Sequence, residues 1–309
     1  MKLHLLALTL IAATPAIGQV ANTPQIAATI KSLGPDLSRE MVGGTFKAYG
    51  PLHAAQNTDG VSVTADQPYG AHERHSLDIY APEGAKNAPV MVFVHGGGFV
   101  RGDKKGAANI GAWFAQHGIV TLAINYRFAP ETQWPAGAED IKNVLAWAAQ
   151  NVAQYGGDPS KIVLAGNSAG AMHVADYTFR EELQRENDGV IGAIMISTPT
   201  ADLQNRPVDP NRDALYYGTD GDRAAQSVVN AVSGRKIPVM IGYAEYEPDV
   251  IMDQTHRLIE ALTLRDGRMP VINAAAGHSH ISIVEHIGTA DNTIAPDMYE
   301  FITTLAISQ

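Results

Sequence analysis

Two short segments carry residue types that could do chemistry. One is His95-Gly96-Gly97-Gly98-Phe99; the other, about seventy residues further on, is Gly166-Asn167-Ser168-Ala169-Gly170. The second has the G-x-S-x-G spacing that sets a serine on a sharp turn from strand to helix. The first is an HGGG run of the kind that aims backbone N–H groups at a developing oxyanion. A serine hydroxyl is a weak nucleophile until an adjacent base takes its proton. Imidazoles occur late in the chain, in Ala276-Gly277-His278-Ser279-His280, and carboxylates shortly before them, in Glu245-Tyr246-Glu247-Pro248-Asp249. Nucleophile, acid and histidine in that order are the parts of an acyl-transfer site at the edge of one sheet.

Each part has a preferred residue. Ser168 is the candidate nucleophile. The amides of Gly97, Gly98 and Ala169 are the candidate oxyanion-hole donors, because residues lacking Cβ let the backbone approach a substrate closely. His95 and Gly96 are expected to shape that loop, with His95 a buried imidazole bonded to it. Of the two late imidazoles, His280 is favoured over His278, since Ile281, Ile283 and Val284 can anchor the loop behind it. An H-x-H metal chelate would need further ligands that the nearby sequence does not obviously supply, so neither a metal nor another cofactor is expected. For the acid, Pro248 suits a first helical turn and puts Asp249 inside the helix start, where a carboxylate simply favours the dipole. Glu247, just before the helix, is best placed to turn toward His280. Glu245 stays in reserve, its alternative being a solvated loop charge.

Elements to position these residues can be read from the periodicity. Short strands are expected at Val61–Ala65, Ser76–Tyr80, Val90–Val94, Ile119–Ile124, Ile162–Ala165, Val190–Ile196, Ile237–Tyr243 and Pro270–Asn273. Helices are expected over Ala107–His117, Gly137–Val152, from Ala169, and over Val250–Leu264 and Pro296–Ala306. Ile141, Val144, Leu145 and Ala148 share one face of the second helix. Alternating strands and helices imply an α/β fold with a mostly parallel sheet covered on both faces, and a ligand site beyond the carboxyl ends of the strands. Residues 19–60 read as an N-terminal arm with one weak helical stretch near Gln25–Leu33. Residues 61–309 read as the main domain. Within it, Thr200–Ser233, rich in Asp, Asn, Arg and Pro, reads as a cap-like excursion over the site.

Composition narrows the function classes. The 309 residues carry a net charge of −10 with no Lys/Arg cluster, which argues against nucleic acid or anionic lipid as partner. The absence of Cys excludes disulfides, thiolate metal sites and a Cys nucleophile. A basic start, an apolar run from Leu5 to Ala13 and small residues to Gly18 describe a secretory signal peptide, residues 1–18, cleaved after Gly18. That run is too short to span a bilayer. A secreted or periplasmic location follows as an expectation.

Several blocks, in order, resemble the hormone-sensitive-lipase-like branch of α/β-hydrolase carboxylesterases, including bacterial acetyl- and feruloyl-ester hydrolases. They are His95–Phe99 followed by Arg101-Gly102-Asp103-Lys104, Tyr126-Arg127-Phe128-Ala129-Pro130-Glu131, Trp134-Pro135-Ala136-Gly137, Tyr155-Gly156-Gly157-Asp158-Pro159, the Ser168 elbow, and Tyr216-Tyr217-Gly218 in the cap region. The resemblance implies the α/β-hydrolase fold and a cofactor-free serine esterase acting on a small-molecule ester. Small to medium acyl or aryl esters fit, acetylated or feruloylated carbohydrates among them. An arylformamidase-type amidase or a non-catalytic binding protein on the same fold are the alternatives. Phe99, Trp134 and Tyr216 would supply apolar pocket walls. Two positions depart from the family pattern: Glu247 stands where Asp is usual, and the Gly-Phe that often follows the base is missing after His280.

Overall fold

A computed structural model describes residues 24–291 and 293–308; the expected signal segment lies outside the described residues. Eight strands form one sheet: β1 (Val61–Pro68), β2 (Ser76–Pro82), β3 (Ala88–Val94), β4 (Val120–Ile124), β5 (Gly157–Asn167), β6 (Val190–Ile196), β7 (Val239–Tyr246) and β8 (Val271–Ser279). Their spatial order is β1-β2-β4-β3-β5-β6-β7-β8. Strands β3 to β8 pair in parallel, whereas β1 with β2 and β2 with β4 pair antiparallel. This is the α/β architecture expected of the strand–helix alternation.

Parallel strands covered on both faces must be apolar on both faces, and β3 shows how the sequence meets that demand. Val90, Val92 and Val94 join one buried cluster, and Met91 and Phe93 join the other. Helices α4 (Ala136–Asn151), α5 (Ala169–Phe179) and α8 (Asp249–Asp266) cover the first face. There the expected stripe of Ile141, Val144, Leu145 and Ala148 is fully buried. Helices α3 (Ala108–Gln116) and α10 (Ala295–Ile307) cover the second, through Ile110, Phe114, Met298 and Ile302.

The N-terminal region holds more structure than one weak helix. Besides α1 (Pro24–Leu33), residues Arg39–Ala54 form a sixteen-residue helix, α2. Its glycines at 43, 44 and 50 and its internal Pro51 give it poor intrinsic propensity, so tertiary contacts must stabilise it. Met41, Thr45 and Tyr49 are buried. A Cβ on Gly44 would lie 2.9 Å from the Leu33 side chain, so glycine lets the two helices pack closely. The Ser38 hydroxyl caps the start by accepting from the Met41 amide at 3.0 Å. Two bonds tie the far end down, His53 Nε2 with the Glu285 carbonyl at 2.6 Å and Gln56 Nε2 to the Asn109 carbonyl at 3.0 Å.

The tightest point of the fold is where β5 turns into α5. A Cβ on Gly170 would sit 2.0 Å from the Val94 carbonyl oxygen, and one on Gly166 would sit 2.5 Å from the Gly170 backbone. Backbone on backbone cannot be relieved by a rotamer change. Gly170→Ala should therefore cost about 2 kcal/mol or more in denaturant unfolding. Gly43→Ala, on an exposed stretch of α2 with nothing within 4 Å, should stabilise by roughly 0.5–1 kcal/mol. Equal effects in the two melts would refute this reading of the crossing.

Candidate active site

Ser168 sits at the junction of β5 and α5 with φ 55° and ψ −123°, a left-handed conformation that costs a non-glycine residue strain. Its amide donates to the Ile196 carbonyl at 2.8 Å, which holds the turn against β6. The Ala169 amide lies in the first turn of α5, where backbone donors have no helical partner. The HGGG loop runs beside it: a Cβ on Gly96 would lie 3.1 Å from the Ser168 Cβ. Gly97 and Gly98 both have positive φ, 139° and 61°. Gly97 could carry no side chain, because its Cβ would fall 1.8 Å from the Arg101 carbonyl.

That loop is braced from several sides. His95 is buried, its Nδ1 bonded to the Gly96 carbonyl at 2.6 Å and its ring stacked on Tyr126 at 4.6 Å. Burial pushes the imidazole down to about 4, so it is neutral at physiological pH, as a loop-shaping residue should be. Downstream, buried Lys104 pairs with Asp78 of β2 and with Asp66, each at 2.6 Å, and its amide donates to Asn125 Oδ1. The family-like Arg101–Lys104 block thus anchors the exit of the loop.

The candidate acid and base arrive from the ends of β7 and β8. Both strands run further than the sequence suggested, to Tyr246 and Ser279, so His278 lies on a strand and His280 just beyond it. His280 Nδ1 meets Glu247 Oε2 at 2.8 Å with both residues buried. The other Glu247 oxygen accepts a short hydrogen bond from the Ser197 hydroxyl and a longer one from the Ala244 amide at 3.3 Å. Burial alone would raise this carboxyl. The charge of His280, with the bonds from His280, Ser197 and Ala244, outweighs burial and holds it below its ordinary value. Glu245 is exposed and accepts from the Gly277 amide, and Asp249 is exposed at the start of α8. His278 points into a separate buried cluster with Ser282 and Thr293.

Ser168, His280 and the HGGG glycines line one cavity of about 580 Å³, the size of a small-molecule site. Its walls differ from those expected. Phe99, Trp134 and Tyr216 do not line it. Phe99 and Tyr216 are fully buried and stacked on each other at 4.4 Å. Trp134 donates to Asp176 Oδ2 at 3.1 Å. Packed into the interior in this way, the three aromatics act as supports instead of walls. Leu37, Val42 and Phe46 from the α1–α2 region form apolar wall, together with Val284, while Asp209, Asn211 and Arg212 come from the 200–233 excursion. The amphipathic pattern of α2 was the available signal for its part, and its glycines obscured it.

A family model described as BD-FAE matches residues 77–192, the stretch from β2 to β6 that holds both the HGGG loop and the elbow. Among curated proteins, a probable carboxylic ester hydrolase, LipM of Mycobacterium tuberculosis, is 34% identical over 166 residues, covering 50% of this chain and 38% of that protein. Esterase LipQ of the same organism is 39% identical over 117 residues, covering 36% of this chain and 28% of that protein. The alignments thus span well under half the length of these relatives. Two solved structures share the fold. A truncated carbohydrate esterase from gut microbiota has a TM-score of 0.68 at 22% identity, over 82% of this chain and 99% of that one. An inhibited esterase B from Lactobacillus rhamnosis has a TM-score of 0.70 at 18% identity, over 91% and 98%. The chain has the α/β-hydrolase fold, and its matched central stretch is similar to carboxylic ester hydrolases. The family model stops before the candidate acid and base, so those two candidates rest on geometry.

Two outcomes follow from this geometry. Substituting the carboxylates one at a time separates the candidates: Glu247→Gln should lower kcat by several orders of magnitude. Glu245→Gln and Asp249→Asn should stay within a few-fold of wild type. The second concerns His173, fully buried among Phe99, Tyr126 and Tyr216 and pushed by burial down to about 3. Its folded pKa lies below the unfolded one, so its neutral ring favours folding in full above about pH 6.5 and progressively less as pH falls toward 3. Denaturant melts should show wild type losing stability from pH 7 to pH 4, with His173→Gln losing less by an amount on the order of a few kcal/mol. Parallel curves would assign the acid sensitivity elsewhere.

Proposed function

We propose that this protein is a serine carboxylic ester hydrolase working through an acyl-enzyme. The observation that carries the reading is the buried Glu247–His280 pair opening into the same cavity as Ser168 on its strained turn. The ester-hydrolase names of its relatives support it.

With Nδ1 of His280 donating to Glu247, Nε2 is the nitrogen free to accept the Ser168 proton. Ser168 Oγ attacks the ester carbonyl, and the carbonyl π electrons move onto oxygen. The amides of Gly97, Gly98 and Ala169 stabilise the resulting oxyanion. Collapse re-forms the carbonyl and expels the alcohol, which takes the proton from His280. Water then loses its proton to His280 and attacks the acyl group. The acid leaves, and Ser168 recovers its proton. Glu247 stays ionised throughout, holding the tautomer and offsetting the charge on the imidazolium.

The substrates we propose are small to medium acyl or aryl esters, acetylated or feruloylated carbohydrates among them. The carbohydrate esterase with the same fold lends support to that class. Export through the basic and apolar N-terminus belongs to the same reading. No helix among the described residues is long and apolar enough to cross a membrane.

A fluorophosphonate probe and a panel of nitrophenyl esters test the proposal together. Wild type should be labelled and should hydrolyse esters. Ser168→Ala should lose the label and lower kcat by roughly a thousandfold or more. Persistent labelling of Ser168→Ala would overturn the nucleophile. Faster turnover of an N-formyl aryl amide than of its matched phenyl ester would make the protein an amidase.

A further inference from the structure

Behind the catalytic histidine lies a group of side chains that the hydrolytic site does not use. His278, at the end of β8, is stacked on His286 with ring centroids 4.1 Å apart and planes within 27°. Both are buried. His278 Nε2 is 3.2 Å from an Asp291 carboxylate oxygen and 3.3 Å from Thr293 Oγ1. One ligand atom from each of His278, His286 and Asp291 falls within 4.8 Å of the others. The structure assigns these three residues as a binding site for a first-row divalent cation, zinc foremost, with the Thr293 hydroxyl as a further oxygen beside it.

Three observations support the assignment. First, His286 is a buried imidazole with an unused lone pair. Its Nδ1 is 3.0 Å from the Ser282 carbonyl, an oxygen that can only accept, so Nδ1 carries the proton. That leaves Nε2 of the neutral ring as a bare acceptor, and this buried atom has no hydrogen-bond partner among the described residues. A buried polar atom left so is costly, and a cation would use it. Second, the spacing fits. Tetrahedral zinc with bonds of about 2.0–2.1 Å separates its ligand atoms by about 3.3 Å. The Nε2 of His278 already lies at that distance from both oxygens. Third, the outer contacts suit metal-bound imidazoles, which donate their second nitrogen to a fixed acceptor. His278 Nδ1 faces Ser282 Oγ at 3.2 Å, and His286 Nδ1 faces the carbonyl of the same residue. Two imidazoles with one carboxylate are a donor set suited to zinc.

The site would clamp the segment that carries the base. Its ligands run from the end of β8, past the short helix α9 (Ser282–Glu285), to the turn that precedes α10. His280 sits inside that span, so a cation would fix the chain on both sides of it. The role is positional and contributes no step to the hydrolysis. The H-x-H pair is therefore divided by the fold. His280 turns to Glu247, and its neighbour two residues earlier turns to His286 and Asp291, ligands that lie further along the chain.

The test measures metal directly on the full chain. Protein stripped with a chelator and reloaded with zinc chloride should retain one zinc per chain by elemental analysis, with a higher Tm than the stripped form. Cobalt(II) in its place should give a visible ligand-field spectrum. His286→Gln and Asp291→Asn should each weaken zinc binding tenfold or more, checked on variants whose circular dichroism matches wild type. His280→Ala should keep the zinc. Folded wild type that retains no zinc and shows no Tm shift would overturn the proposal. So would loss of the metal in His280→Ala, which would move the site to the catalytic loop.

Discussion

The close crossing of β3, β5 and α5 is the constraint on which the rest of the structure depends. Gly166 and Gly170 are there because no Cβ fits between the two backbones, or between α5 and the Val94 carbonyl. That approach lifts Ser168 onto a left-handed turn and points the first amides of α5 at the end of the sheet. It also sets the HGGG loop, which continues from β3, directly beside the serine. One steric requirement thus places Ser168, the proposed nucleophile, beside the proposed oxyanion donors at one cavity. The fully buried stack of Phe99 on Tyr216 anchors the end of the HGGG loop.

A second constraint is electrostatic. Glu247 is buried, and a buried carboxylate is tolerable only when its oxygens are occupied. His280, Ser197 and the Ala244 amide occupy them. The strain in the turn at Ser168 is compensated by packing on either side of the sheet, whereas these partners outweigh the cost of burying Glu247. Residues that cost stability at a sheet edge are the ones a catalytic site needs, because preorganisation requires groups held where they would not rest alone.

The cavity wall is the least regular part. Its apolar side comes from near the start of the described chain, at Leu37, Val42 and Phe46, and part of its polar side comes from Asp209, Asn211 and Arg212. These pieces lie far apart in sequence and meet only over the strand ends. Leu37 and Phe46 are substantially exposed, which suits a surface that receives an apolar part of a ligand.

Local chemistry made much of the protein legible in its sequence. The strands around Val90–Val94 and Val190–Ile196, the buried stripe of α4 and the turn at Ser168 were readable because period, Gly placement and motif spacing are properties of neighbouring residues. Glu247 over Glu245 and Asp249 was readable in outline, since Pro248 marks where the helix begins. What the tertiary structure decided were relations between distant residues. Helix α2 forms despite its glycines because Leu33, Met41 and Tyr49 pack it in place. Phe99, Trp134 and Tyr216 look like pocket walls by type, yet packing stacks Phe99 on Tyr216 and turns Trp134 to Asp176. The two late histidines are chemically identical and two residues apart. On the extended strand β8 that spacing would put them on one face, but the chain leaves the strand after Ser279, sending His280 to Glu247 and leaving His278 beside His286 and Asp291. No local pattern encodes that divergence, because the partners come from other parts of the chain and meet these rings only when the sheet is assembled.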